Sequence, residues 1–239
     1  MRRFLRVLVV LATFIVLVMG AVRATTLPWF PRWAYARADF PADAYGMTAE
    51  ERLRLAEACI AFLNLPHDRT LLSSLQFEDG TVAFNERELQ HMDDVKGVYD
   101  RLTAWAVFAL TVGGIAIWAL HRRGEGAAIW GALSDGGLAT LIVLLLLGVL
   151  MGVAWETFFV GLHGVFFAPN TWRFYYTDTL IRLFPEPFWQ LAGLVVVVMV
   201  AAPLAGGWSG RQAIDGIAII DFPPGAGRPS VKAGLLFAG

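Results

Sequence analysis

The sequence predicts an all-α polytopic membrane protein with four transmembrane helices and a small, mostly helical extracytoplasmic domain. Three observations carry that prediction. Hydrophobic residues make up 57% of the 239-residue chain, above the roughly 45–50% of soluble domains. Charged residues make up only 16%, where about 25% is usual. Finally, four apolar runs approach the roughly 20 residues that a helix needs to cross a hydrocarbon core about 30 Å thick. With a net charge of −1 the chain carries no footprint for nucleic acid. A single cysteine, Cys59, excludes a disulfide framework and a CxxC redox pair within one chain.

The first span, 1–24, has an apolar run from Val7 to Val22 preceded by Arg2, Arg3 and Arg6, and reads as an uncleaved helix, with a signal peptide ending near Ala24 as the alternative. The basic N-terminus places its start in the cytoplasm. Segment 25–101 then lies outside. It opens with Pro28-Trp29-Phe30-Pro31-Arg32-Trp33, a composition suited to the headgroup layer. Thr48 and Glu51 stand at capping-box spacing before Leu53, Ala56, Ile60 and Leu63, which predicts an amphipathic helix over 49–64 ended by Pro66. Residues 74–84 read as a short strand or turn, with Asp79-Gly80 as the turn signal. Asn85 and Glu88 cap a second helix, and no breaker interrupts it before Leu120. The second span is 102–120, a cytoplasmic loop covers 121–137, and the third span is 138–157. An outer loop occupies 158–187, the fourth span 188–205, and a Gly- and Pro-rich stretch, 206–239, reads as a cytoplasmic tail.

Chemistry is sparse in this chain. It has no Gly-x-Ser-x-Gly, and Cys59 falls on an amphipathic helix where packing explains it. Acyl chemistry here would need a substrate that brings its own nucleophile. Of four histidines, His121 sits at a span boundary and His67 in a Pro-containing loop. His91 and His163 lie beside apolar spans, and the two crossings between them put them on one side. A titratable group at the edge of a span is a functional candidate by default. Glu156, the lone acid from Leu138 to Phe167, could orient a histidine, receive an ammonium group or pair with Arg101 or Arg87. Asp93, Asp94 and Lys96 read as a solvated face, with Asp94 and Arg87 also able to pair or to hold His91. Glu88 and His91 have the Glu-x-x-His spacing of di-iron bundles, so a metal-dependent enzyme stays as an alternative, ranked below acid–base histidines. A further alternative is a non-enzymatic module that binds lipid or a partner through the Trp-rich outer domain.

Phe84-x-Glu86-Arg87-Glu88-x-x-His91-Met92-x-Asp94-Val95-Lys96 and Phe159-x-x-Leu162-His163-x-x-Phe166-Phe167 resemble a family of bacterial integral membrane proteins that includes the lipoprotein intramolecular transacylases. Asn170-x-Trp172-x-Phe174, Thr177-Asp178-Thr179-Leu180-Ile181 and Pro185-Glu186-x-Phe188 continue the resemblance, which covers about residues 5–205. Tyr175-Tyr176 departs from the pattern. The resemblance implies an acyltransferase of the plasma membrane with its site on the extracytoplasmic face. Its substrate would be a diacylated lipoprotein, whose sn-2 acyl chain moves to the α-amino group of the N-terminal cysteine. It implies His91 and His163 as the essential residues. Glu156, Arg87, Glu88, Asp94, Trp155 and Trp172 are candidate supporting residues. The expected partners are the lipoprotein and the phospholipid bilayer, with no cofactor and no metal. Phe158, Phe159, Phe166 and Phe167 would wall the acyl chain, or pack as ordinary helix contacts.

Overall fold

The first helix, α1 (Arg2–Thr25), lies against two others, α5 (Glu86–His121) and α6 (Gly126–Val153). The computed structural model describes residues 1–218, with side chains to residue 202. These three helices are long and apolar enough to cross a membrane. They approach closely where side chains vanish. A Cβ on Gly136 would stand 2.7 Å from Thr13 Cβ and 2.8 Å from the Val10 carbonyl, and one on Gly113 would stand 2.6 Å from Ala12 Cβ. Small residues at such crossings let dispersion contacts hold helices together where lipid offers no hydrophobic drive. Val9, Ala116, Leu120 and Ala132 fill the seam. At one end, Arg6 reaches Asp135 at 3.1 Å and Arg2 reaches Glu125 at 2.9 Å.

The α5–α6 connection is shorter than the predicted loop over 121–137. Gly124, with φ +71°, turns the chain, and α6 begins at Gly126. The polar Ser134 and Asp135 sit on a helix rather than a loop, Asp135 being held by Arg6. The third span also differs from its predicted extent. Ala154, at φ −140° and ψ 62°, ends α6, and a separate helix α7 (Trp155–Phe166) follows. No proline or asparagine marks that break in the sequence.

The shorter helices between α1 and α5, with one that follows α7, gather around the first turns of α5. Helix α2 (Trp29–Tyr35) buries Phe30 and Ala34 against Phe188, while Trp29 and Trp33 face outward. Helix α3 (Ala49–Asn64) starts on Thr48, whose hydroxyl accepts from the Glu51 amide. The other half of that expected box is missing, because the Glu51 carboxylate accepts from the Glu78 amide instead. Helix α4 (Thr70–Ser73) and the Asp79-Gly80 turn follow, with one bridge between Gln76 and Val82. Gly80 has φ +83°, which explains a glycine there. Asn85 and Glu88 make the complete capping box that opens α5. Helix α8 (Thr179–Leu183) closes a core of Leu55, Cys59, Phe62, Leu72, Phe84 and Leu183. Each such large side chain contributes about 1.5–3 kcal/mol by leaving water. From α8, Arg182 donates two hydrogen bonds to Asp43, at 2.8 and 3.0 Å.

Helix α9 (Glu186–Ala218) contains the predicted fourth span, and its apolar part with described side chains is Glu186–Ala202. The irregular tail was predicted from residue 206, yet the helix continues to Ala218. No proline lies between Pro203 and Pro223 to end it. The rest of that tail, 219–239, lies outside the described residues.

Candidate active site

His91 is on the second turn of α5, and His163 is near the end of α7. Helix α5 is 36 residues long, about 54 Å at 1.5 Å per residue, so its polar first turns stand clear of a hydrocarbon core of about 30 Å. The two imidazoles stack there, with centroids 6.1 Å apart and planes inclined by 23°. Phe167 and Phe174 meet the His91 ring edge-on at 5.1 and 5.3 Å. Phe159 and Trp172 lie 4.0 and 4.8 Å from the His163 ring.

These surroundings decide protonation. Burial in an aromatic cage lowers His91 to about 4, and the neighbouring His163 acts in the same direction. Burial also lowers His163, opposed by its bond to the Phe159 carbonyl. Both rings are therefore neutral at pH 7. In that bond His163 Nδ1 stands 2.8 Å from the Phe159 oxygen. A carbonyl can only accept, so Nδ1 carries the proton and Nε2 keeps its lone pair. His91 Nδ1 is buried without a hydrogen-bond partner among the described residues.

A family model for the lipoprotein intramolecular transacylase Lit matches residues 7–189. The chain belongs to that family. It is thus a membrane acyltransferase. A protein of Aquifex aeolicus (strain VF5) is 33% identical over 193 residues, which is 81% of this chain and 86% of that relative. Among solved structures, the membrane-integral Lit of Bacillus cereus superposes with a TM-score of 0.70 at 19% identity, covering 92% of this chain and 99% of its own. A histidine-to-arginine variant of that protein gives 0.63 at 18% identity, covering 92% and 95%. These two likenesses speak for a shared fold.

Around the two histidines the candidate supporting residues separate into groups. Glu88 is 1% exposed, and its carboxylate accepts from the Asn85 amide at 2.9 Å and the Leu180 amide at 2.7 Å. It ties the start of α5 to the start of α8. Arg87 pairs with Asp178 at 2.7 Å, and Asp178 also accepts from the Tyr175 amide, which fixes the loop carrying Trp172 and Phe174. Trp172 is buried beside His163. Trp155 lies tilted against Phe158 and Phe159, with centroids 6.1 and 5.3 Å away.

Glu156 and Asp94 are not brought to the histidines. Glu156 is exposed and is paired with neither Arg87 nor Arg101, nor hydrogen-bonded to either imidazole. The turn at Ala154 sets the face on which it emerges. Asp94 accepts from Gln90 at 3.2 Å and does not hold His91. The Glu-x-x-His pair does not present a donor set, since Glu88 is filled by amide groups. Among the described residues no three His, Cys, Asp or Glu side chains gather as metal ligands. Lys96 also departs from the solvated reading: it is 4% exposed and donates to the Leu63 carbonyl at 3.3 Å.

A cavity of about 680 Å³ adjoins the site through Phe159. Trp155, Glu156, Tyr176, Phe184 and Trp189 line it with Arg52. Sequence reasoning missed Asp178, Asp43 and Arg182. Asp178 lies within the Thr177-Asp178-Thr179 motif, whose position before α8 was the available signal. Nothing local links Asp43 to Arg182.

Proposed function

We propose that this chain moves the sn-2 acyl chain of a diacylglyceryl lipoprotein to the α-amino group of its N-terminal cysteine, leaving a lyso-form lipoprotein. The observation that carries the reading is the pair of stacked, neutral imidazoles, one of which has a free Nε2 set by its own helix. Ester and amine belong to one substrate molecule, so no enzyme nucleophile is needed. Holding them together replaces much of the entropic cost of an encounter.

In this reading His163 is the base. Its Nε2 takes a proton as the α-amine attacks the ester carbonyl, and the C–N bond forms while the carbonyl π electrons move to oxygen. The tetrahedral intermediate then collapses, the bond to the glycerol oxygen breaks, and His163 returns the proton to that oxygen. A neutral His91 donates a hydrogen bond to the reacting group. An imidazole lowered by its surroundings remains an unprotonated base at ambient pH. The cavity beside Phe159, with its aromatic walls, suits an apolar chain.

The apolar start of α9 serves as a fourth span, making the protein multi-pass. The basic residues in the first turns of α1 support a cytoplasmic N-terminus, and with it an extracytoplasmic location for both histidines. The test is expression in a host lacking other N-acylating enzymes, with mass spectrometry of the lipopeptides. His163→Ala and His91→Ala should each reduce N-acylation by about 10²–10⁴-fold. Unchanged N-acylation in both variants overturns the acid–base reading.

A further inference from the structure

Trp172 is 7% exposed, and its indole Nε1 is buried without a hydrogen-bond partner among the described residues. An indole N–H can only donate. Leaving such a donor unmade in the interior is costly, and native structures rarely tolerate it without a reason. Here the orphan occurs next to the base: the Trp172 and His163 rings are 4.8 Å apart. The loop cannot easily turn the indole to find a protein acceptor, because Asp178 clamps it through Arg87 and the Tyr175 amide.

We infer that the Trp172 N–H is a hydrogen-bond donor for the ester carbonyl oxygen, strengthening as that oxygen becomes an oxyanion. The inference rests on the O-to-N transfer proposed above and adds a catalytic residue to it. The attack of the amine moves an electron pair onto the carbonyl oxygen, and a fixed donor in a site closed to water favours that charge. No proton leaves the indole. The Arg173 guanidinium lies 5.4 Å over the Trp172 ring and draws electron density toward itself, making the N–H a better donor. Because the nitrogen is closed to water at rest, the substrate that enters around the half-buried His163 must displace what covers it to present its acceptor.

The test separates the N–H from the bulk of the ring. Trp172→Phe removes both the N–H and part of the ring. Incorporation of benzothienylalanine at position 172 keeps the bicyclic shape and replaces the N–H by sulfur. Turnover is measured on a synthetic diacylglyceryl-cysteinyl peptide in detergent, with thermal unfolding of each purified protein. The expected result is a drop in kcat of about a hundred- to a thousandfold for benzothienylalanine, with KM within about threefold and an unchanged unfolding midpoint. Trp172→Phe should lose at least as much kcat. Parental turnover by the benzothienylalanine protein overturns the inference, as does a loss confined to KM. If the parent enzyme itself performs no O-to-N transfer in this assay, the functional reading fails rather than the donor alone.

Discussion

His91 faces His163 across 6.1 Å with nearly parallel rings. That separation is too long for a direct bond between them and short enough for one substrate group to touch both. The arrangement joins the first turns of α5 to the end of α7, elements far apart in the chain. Its electrostatic consequences can be measured.

Protonating His91 opposes the fold. Its native value of about 4 lies below the unfolded 6.5, so the unfolded chain binds the proton more tightly. The stability associated with neutral His91 is complete above pH 6.5 and is lost as pH falls toward 4. Thermal unfolding across that window should show a falling midpoint, and His91→Leu should flatten it. In activity, the enzyme-dependent acid limb of kcat should lie below 6.5, because both imidazoles are lowered.

Asp43 acts at lower pH. Against the cost of its burial, the bonds from Arg182 and from the Met47 and Tyr45 amides bring it down to about 2. The unfolded group titrates near 3.8, so its stabilisation persists above that pH and disappears as pH falls through 2. Asp43→Asn leaves Arg182 without its counter-charge and should cost about 3–5 kcal/mol, read from chemical unfolding in detergent.

Glu88→Gln tests the tie between α5 and α8. The amide can accept from Leu180, but its NH₂ then faces the Asn85 N–H. A loss of about 1–3 kcal/mol is expected, together with weaker turnover, since His91 lies one turn further along the same helix.

Two glycines should respond in opposite directions. Gly136→Leu drives atoms into Thr13 and the Val10 carbonyl, and should destabilise by at least about 1–3 kcal/mol. Gly148→Ala meets nothing within 4 Å, and should stabilise by up to about 1 kcal/mol through helix propensity. Unfolding midpoints of the two variants give the comparison.

Cys59 should be silent. It is 1% exposed, and burial pushes its thiol up. Cys59→Ala should retain full acyl transfer, and maleimide should label the native protein only after unfolding.

Much of this architecture could be read from residues alone. The caps at Thr48 and Asn85 use contacts three residues apart, and apolar runs mark the long helices. Span parity puts His91 and His163 on one side, but it gives no distance, and their approach to 6.1 Å had to come from the structure. The break at Ala154 has no local signature, and it decides where Glu156 and Trp155 emerge. Lys96 looked solvated because its neighbours are acidic, while α3 ends on top of it. The orphaned Trp172 nitrogen is a property of everything around the ring, and no spacing could announce it.

The close seating of α1 between α5 and α6 also has a temporal side. Ribosomes deliver α1 first, yet the surfaces it fits, near Gly113 and Gly136, are synthesised much later. Until α6 has been made, the face of α1 that meets Gly136 lacks its partner, so the complete seam can close only after the third of these helices is in place.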